Sequence, residues 1–192
     1  FKFDAGIVIS ASHNPYRDNG IKIFAPDGKK LDGAAEQAIE AAVFADSAPE
    51  ISGVKVSLER TEKFCEDYLE HLRKEANDLS LLGMKVVLDC ANGASSWLAP
   101  SLFESLGARV ITINNTPDGQ NINRDSGSTH LDAITGAVLR EGADVGIAFD
   151  GDADRALFID ENGVVVDGDA TLWVMAQYLK DHGKLKNSTV VA

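Results

Sequence analysis

The stretch that decides the fold is VGIAFDGDADRALFI, residues 145–159, in which an acidic loop separates two apolar runs. The runs 145–149 and 156–159 are short and rich in apolar side chains, so each predicts a buried strand. Asn162-Gly163, which follows, is a strong two-residue hairpin signal and predicts that the chain turns back into another strand at 164–166. The acidic loop is therefore expected between two strands of one sheet.

The loop itself places Asp150, Asp152 and Asp154 at alternate positions, with small residues between them and Arg155 directly behind. In an extended segment, alternate side chains project to the same side, whereas a helix would spread them around its axis. Hard cations such as Mg²⁺ prefer oxygen ligands, and three carboxylates held this close repel one another unless a positive charge lies among them. The pattern predicts a site for a divalent metal ion.

Two alternatives compete with this interpretation. The three aspartates also fit the first ligand positions of an EF-hand calcium loop, and Glu161 fits the last. Arg155, however, stands where an EF-hand needs a turn-forming Gly, and a strand follows where the exiting helix should begin. An acidic surface turn remains open as the second alternative, because Asp and Gly are ordinary turn residues.

Outward from this loop, strands and helices alternate, which is typical of an α/β fold. The sequence predicts mixed, largely parallel sheets flanked by helices. The predicted strands are 6–9, 21–24, 84–89, 109–113, 145–149, 156–159, 164–166 and 188–192, and the predicted helices are 34–45, 58–76, 96–106, 131–140 and 170–182. Thr129, with Asp132 three residues later, predicts an N-terminal helix cap.

A second candidate site lies near the start of the chain. An apolar strand runs into Ser10-Ala11-Ser12-His13-Asn14-Pro15, a polar loop of the kind that often carries function. Ser12 offers a hydroxyl, and Lys22 on the following strand can bind phosphate or move a proton. A loop hydroxyl together with a site for a hard metal fits phosphoryl transfer. The alternatives are a turn serine beside a surface His13, and a solvated strand lysine at Lys22.

Two motifs resemble those of the α-D-phosphohexomutase superfamily. Residues 10–15, with Asp18-Asn19-Gly20-Ile21-Lys22 after them, are similar to its active-site serine loop, and residues 150–155 are similar to its metal loop. Residues 117–123 and 127–130 resemble the bacterial phosphoglucosamine mutase branch, in which a Cys or another small residue is expected where this chain has Asp125-Ser126.

The resemblance implies an isomerase that moves phosphate between O6 and O1 of a hexosamine phosphate through a bisphosphorylated sugar intermediate. It implies that Ser12 carries a phosphoryl group, and that Mg²⁺ is held by Ser12 and by the three loop aspartates, Asp150, Asp152 and Asp154. His13 and Lys22 match positions that assist proton transfer and phosphate binding, and Arg155 matches the basic residue that closes the metal loop.

The resemblance also implies a multi-domain protein of which this chain is a part, truncated at both ends. The expected division is residues 1–76 as the end of a first domain, 77–166 as a second, and 167–192 as the start of a third. A phosphomannomutase or phosphoglucomutase with the same machinery is the nearest rival, and a non-catalytic metal-binding module is the rival of another class. We expect little or no mutase activity from these 192 residues alone.

Composition limits the partners. The net charge of −12, with a pI near 4.6, argues against nucleic acid and anionic membranes, because no basic cluster offsets the acidity. A sugar phosphate remains possible, since a bound metal and nearby cations can reverse the local field. The chain is expected to be cytoplasmic, with Cys65 and Cys90 as reduced thiols. The sequence leaves the oligomeric state open.

Overall fold

The computed structural model describes residues 3–45, 61–77 and 79–191. In this part of the chain the strands are β1 (Gly6–Ser10), β2 (Gly20–Phe24), β3 (Lys85–Asp89), β4 (Arg109–Ile113), β5 (Val145–Phe149), β6 (Ala156–Asp160) and β7 (Val165–Val166). The α-helices are α1 (Gly33–Phe44), α2 (Thr61–Glu75), α3 (Ser95–Ser105), α4 (Asp132–Glu141) and α5 (Gly168–Asp181). The start of the second predicted helix, residues 58–60, lies outside the described residues.

A mixed five-stranded sheet forms the centre of the fold, in the order β4-β3-β5-β6-β7. Strand β3 pairs in parallel with β4 and with β5; α3 connects β3 to β4, and α4 lies in the connection from β4 to β5. Strand β6 then runs antiparallel to β5, and β7 runs antiparallel to β6 through the predicted turn. The mixed α/β fold is thus confirmed, with parallel pairing confined to three strands because the chain reverses at the acidic loop and again at Gly163.

Helices cover both faces of this sheet, because neighbouring strand residues project to opposite sides. On one face Val87 packs with α4, and on the other Val86 and Leu88 pack with α3. Helix α2 lies against α3, where the Arg73 guanidinium donates to Ser105 Oγ at 2.9 Å. The sheet's central strands are therefore buried on both faces, as the apolar runs predict.

Strands β1 and β2 form a separate antiparallel pair that presents the serine loop. Val8 lies opposite Lys22 in this register, and Ile9 lies opposite Ile21. Both isoleucines are exposed. Because side chains alternate, Lys22 lies on the opposite face from these isoleucines, as the sequence pattern predicts.

Two local predictions are wrong. Thr129 does not cap a helix: it ends a short 3₁₀ turn and its hydroxyl contacts His130 Nδ1 at 3.2 Å, while α4 follows Leu131 without a side-chain cap. Residues 188–191 do not form a strand, because Asn187 and Ser188 adopt left-handed backbone conformations within a 3₁₀ turn. In both places a local turn overrides the pattern.

The two cysteines of the sequence are free, and Cys90 lies in the core at the end of β3. Burial raises the pKa of its thiol to about 11, so it stays protonated at neutral pH. Among the described residues, no helix is both long and apolar enough to cross a bilayer.

Ser126 carries a stability prediction. Its side chain is fully buried, and its hydroxyl has no hydrogen-bond partner among the residues that the structure describes. Because burying an unpaired hydroxyl is unfavourable, Ser126→Ala should raise the free energy of unfolding by about 1 kcal/mol, measured by urea denaturation. Ser95→Ala is the matched control, since this buried hydroxyl donates to the Cys90 carbonyl and its loss should be destabilising. A less stable Ser126→Ala protein would contradict the prediction.

Candidate metal and phosphoryl-transfer site

The acidic loop connects β5 to β6 and brings its three aspartates together. Oxygens of Asp150, Asp152 and Asp154 lie within 4.8 Å of one another. Asp150 is buried at the strand end, the side chain of Asp152 is 13% exposed, and that of Asp154 is 60% exposed. We call these three residues the acidic cage. The strand on either side rules out the helix of an EF-hand.

Asp150 is the most buried carboxylate of the cage. Its Oδ1 accepts a hydrogen bond from the Arg155 backbone N–H at 3.1 Å. Its Oδ2 has no hydrogen-bond partner in the described part of the chain, and the Arg155 Nε lies 3.8 Å away. Burial raises the pKa of this carboxyl, and the charges of Asp154 and Asp152 raise it further.

Asp152 is the carboxylate of the cage that forms an ion pair with Lys22. Its Oδ2 accepts a hydrogen bond from Lys22 Nζ at 2.7 Å. Burial alone would raise the pKa of Asp152, but the hydrogen bond and charge of Lys22 outweigh it and lower the pKa, with smaller help from the Ser12 hydroxyl. The same pair raises the pKa of Lys22, so this side chain stays an ammonium ion at neutral pH.

The cage fits a hard cation on its own geometry. Two buried carboxylate oxygens, Asp150 Oδ2 and Asp152 Oδ1, have no hydrogen-bond partner among the described residues, yet they lie in a group of three acids. Buried carboxylate oxygens normally have a donor or a cation beside them. An all-oxygen donor set suits Mg²⁺ or Ca²⁺ better than softer metals.

The serine loop is joined to the acidic loop through its backbone. The Gly151 N–H donates to the Ser12 carbonyl at 3.1 Å, and a Cβ on Gly151 would lie 2.4 Å from the same oxygen. Only glycine allows this approach. Ser12 adopts a left-handed conformation, φ 53°, and its N–H donates to Ser10 Oγ at 2.9 Å. The two loops, distant in sequence, are therefore neighbours.

His13 and Arg155 face each other above the cage. The Arg155 Nη2 lies 2.9 Å from His13 Nδ1, and Ser12 Oγ lies 3.5 Å from the same nitrogen. A guanidinium can only donate, so His13 Nδ1 accepts and the ring proton of the neutral imidazole lies on Nε2. His13 therefore offers a donor at Nε2, which suits binding of a phosphate oxygen.

A cleft of about 810 Å³ opens next to His13. It lies between the serine loop and residues 120–130, and cationic side chains contribute to its wall: Arg17 and Arg124. This volume can admit a sugar-sized ligand. All of the site residues predicted from the sequence, namely Ser12, His13, Lys22, Asp150, Asp152, Asp154 and Arg155, lie around the cage or at this opening; their catalytic and ligand roles stay predictions.

Gly93 and Asn123 support the two loops through contacts that the local sequence does not predict. A Cβ on Gly93, in the turn after β3, would lie 2.2 Å from the Gly151 carbonyl oxygen, and that oxygen accepts the Ala94 N–H at 2.8 Å. The side-chain amide of Asn123 contacts the serine loop. Asn-Gly at 92–93 indicates a turn, but the turn's partner cannot be read from it.

Removing Lys22 should strengthen metal binding by the cage. In the metal-free chain Lys22 occupies a lone pair of Asp152 and adds a positive charge that repels a cation. Lys22→Met should raise Mg²⁺ affinity about threefold to tenfold in calorimetric titrations of the unphosphorylated chain. Lys29→Met is the control, because this exposed lysine pairs only loosely with Asp27, at 3.8 Å. Weaker Mg²⁺ binding by Lys22→Met would show that the prediction is wrong.

The fold and the cage define the class of the chain: an α/β/α domain with an acidic, metal-binding type of loop between two strands. Residues 66–163 match the family model described as phosphoglucomutase/phosphomannomutase, alpha/beta/alpha domain II, and residues 1–50 match that described as domain I. The chain therefore belongs to the phosphoglucomutase/phosphomannomutase family, within the α-D-phosphohexomutase superfamily that its motifs resemble.

Relatives refine this assignment. A phosphoglucosamine mutase of Caldicellulosiruptor saccharolyticus is 50% identical over 192 residues, covering 98% of this chain and 43% of that protein. One of Mycobacterium ulcerans is 50% identical over 191 residues, covering 98% and 42%. The crystal structure of a putative phosphomannomutase from Thermus thermophilus superimposes with a TM-score of 0.76 at 25% identity, covering 95% and 42%. The chain thus spans less than half the length of these proteins.

Proposed function

We propose that the chain is the part of a phosphoglucosamine mutase that holds its phosphoserine and its metal ion. The whole protein would interconvert glucosamine 6-phosphate and glucosamine 1-phosphate through a bisphosphorylated sugar. The observation that carries this proposal is the contact between the two loops, in which the Gly151 N–H of the acidic loop donates to the Ser12 carbonyl while Lys22 pairs with Asp152 of the acidic cage. Identities of 47% to 50% to phosphoglucosamine mutases support the choice of sugar.

Ser12 is the proposed phosphoryl carrier. When it gives up its phosphoryl group, the Oγ–P bond breaks, a bond forms between phosphorus and a sugar hydroxyl oxygen, and the proton of that hydroxyl has to leave. The released Ser12 alkoxide takes up a proton in turn, and the reverse transfer restores the phosphoserine. Because Ser12 directly precedes His13, which lines the cleft, a phosphoryl group on Ser12 can reach this opening.

The neighbouring cations hold the phosphate and its developing charge. Lys22 stays protonated and can bind phosphate oxygens, the Arg155 guanidinium offers further N–H donors, and His13 donates from Nε2. Preorganised donors of this kind act where charge develops in the transition state. A proton leaving the sugar hydroxyl needs an acceptor with a free lone pair, so Lys22 could accept it only as a neutral amine, a form that its pairing with Asp152 disfavours.

Mg²⁺ is the proposed metal ion, held by Asp150, Asp152 and Asp154 together with an oxygen of the Ser12 phosphate. When bound, it would neutralise charge on the phosphoryl group in transit. We also propose the division into a first domain ending at residue 76, a second ending at 166 and the start of a third. A phosphomannomutase or phosphoglucomutase, or a non-catalytic metal-binding module, are the rival functions.

The proposal is tested by the mass of the protein. The whole protein that contains this chain is incubated with glucosamine 1,6-bisphosphate and Mg²⁺, and intact-mass spectrometry followed by peptide mapping should find one phosphoryl group, on Ser12. Ser12→Ala should remove it. Ser101→Ala is the control, because Ser101 bonds only within α3, and it should keep the phosphoryl group.

The outcomes separate the rivals. Equal or faster phosphorylation by glucose 1,6-bisphosphate or mannose 1,6-bisphosphate would favour the other mutases of the family. A whole protein that binds Mg²⁺ through the cage but is never phosphorylated on Ser12 would make this chain a non-catalytic metal-binding module, and the proposal would fail.

A further inference from the structure

Asn123 makes an unusual set of contacts for a residue far from the serine loop in sequence. Its side chain is nearly buried and its backbone is left-handed, with φ 56°. The Nδ2 group donates to two carbonyls of the serine loop, to Ser12 O at 2.7 Å and to Asn14 O at 2.8 Å. The side chain therefore bridges the loop on both sides of His13.

The anchor of this bridge is rigid. The Asn123 N–H donates at 2.9 Å to the carbonyl of Ala91, two residues after the end of β3. Ala91 is itself held by its N–H, which donates to the buried Asp89 carboxylate at 3.0 Å. Asn123 is thus held at the C-terminal end of β3, next to the C-terminal end of β5 from which the acidic loop begins.

The Ser12 carbonyl is the point where both connections meet. It accepts from Asn123 Nδ2 and from the Gly151 N–H, which belongs to the acidic loop. One oxygen is therefore held by two donors, one of them within the loop that carries the cage. Because these two hydrogen bonds fix the backbone of Ser12, they also restrict where its hydroxyl can lie.

We infer that Asn123 is a positioning residue, which fixes the phosphoryl-bearing Ser12 oxygen at bridging distance from the acidic cage. The inference rests on the proposed function. Both side-chain hydrogen bonds of Asn123 go to carbonyls of the serine loop, so it acts through the backbone of that loop. Asparagine suits this role for two reasons: its primary amide supplies two N–H donors for the two carbonyls, and Asn tolerates a left-handed backbone.

The test compares metal binding with and without phosphate on Ser12. Phosphoserine is incorporated at position 12 by genetic encoding, and Mn²⁺ affinity is measured calorimetrically for the phosphorylated and unphosphorylated chains. In the parent protein the phosphate should raise Mn²⁺ affinity about tenfold or more, because it adds a charged oxygen ligand. In Asn123→Gly this gain should shrink to about twofold, while the affinity of the unphosphorylated cage stays within about twofold.

Glycine is the informative substitution, because it keeps the left-handed backbone and removes only the amide. Asn123→Asp is a second variant with the same shape, in which a carboxylate without donors faces the two carbonyls, and it should lose the gain as well. Asn114→Gly is the matched control. Asn114 is also left-handed, at φ 50°, but its amide donates to Asp89 at 3.1 Å and not to the serine loop.

A purely structural role for Asn123 would lower stability without altering the coupling between phosphate and metal. Asn114→Gly should show that pattern. The ³¹P relaxation of the phosphoserine in the presence of Mn²⁺ gives an independent signature, since it falls steeply as the phosphorus moves away from the ion. We expect strong relaxation in the parent protein and in Asn114→Gly, and clearly weaker relaxation in Asn123→Gly.

The outcomes are distinct. If phosphate does not raise Mn²⁺ affinity in the parent chain, the proposed function fails. If the gain is present in the parent chain and unchanged in Asn123→Gly and Asn123→Asp, the proposed function stands and the role of Asn123 is overturned. Loss of the gain in both variants, with the gain kept in Asn114→Gly, supports the inference.

Discussion

Replacing Asp150 by Asn should weaken Mg²⁺ binding about a hundredfold and, at the same time, make the metal-free protein more stable. The loss of affinity follows because the cage loses its buried charged oxygen, Oδ2. The gain in stability follows because this carboxylate is buried next to two other acids. An amide in its place removes the charge and can donate to its neighbours, which should add about 1 kcal/mol to the free energy of unfolding.

The pH dependence of this gain has a definite sign. The folded-state pKa of Asp150 is raised above its unfolded value, mainly by burial. Its ionised form therefore disfavours the fold at neutral pH, and this penalty disappears as the pH falls through the folded and then the unfolded pKa. The advantage of Asp150→Asn should be full at pH 7 and decline toward acid. Asp152 has the opposite shift, so its contribution to stability is lost on acidification.

Urea denaturation in EDTA and in excess Mg²⁺ measures both effects. Asp144→Asn is the matched control, because Asp144 also accepts a backbone N–H, that of Lys85 at 2.7 Å, but lies at the other end of β5. It should leave Mg²⁺ binding unchanged. If Asp150→Asn kept the affinity of the parent chain for Mg²⁺, Asp150 would not be a ligand.

Gly93→Ala should be strongly destabilising, by about 3 kcal/mol or more in the free energy of unfolding. The added Cβ would lie 2.2 Å from the carbonyl oxygen of Gly151 and 2.7 Å from its carbonyl carbon. These are backbone atoms, so no side chain can rotate away. The turn after β3 and the acidic loop would have to separate, which also breaks the Ala94–Gly151 hydrogen bond. Weaker Mg²⁺ binding should accompany the loss of stability.

Gly136→Ala provides the control. Gly136 lies on the exposed side of α4 and a Cβ there would meet no atom within 4 Å, so alanine should stabilise the helix by about 0.5–1 kcal/mol. Opposite effects of the same substitution at the two glycines would assign the loss at Gly93 to the contact. A change of less than about 1 kcal/mol at Gly93, measured by urea denaturation, would mean that the loops do not approach this closely.

Much of the fold follows from local pattern. The bounds of β4 and β5 agree with the sequence prediction to the residue, because each is a short apolar run between clear turn signals. The order of the strands agrees with an α/β fold, and the hairpin at Asn162-Gly163 lies where its turn chemistry indicates. Errors arise at 129 and at 188–191, where left-handed residues and short 3₁₀ turns carry little periodic signal.

The site is predictable only in part. The three aspartates, Ser12 and Lys22 are each conspicuous in the sequence, since their chemistry suggests phosphate and metal. The contacts that assemble them are not, because Gly93 meets Gly151 and Asn123 meets Ser12 across long stretches of chain. A glycine needed for close approach looks the same in sequence as one needed for a turn, and a bridging asparagine looks the same as a loop asparagine.

The backbone of Ser12 limits which alcohol can stand at this position. At φ 53° a side chain branched at Cβ collides with its own main chain, so threonine is disfavoured there although its hydroxyl is chemically similar. The left-handed backbone at residue 12 thus favours serine, a primary alcohol, over threonine, a secondary alcohol. Ser12→Thr would therefore have to change the backbone conformation of the serine loop to be accommodated.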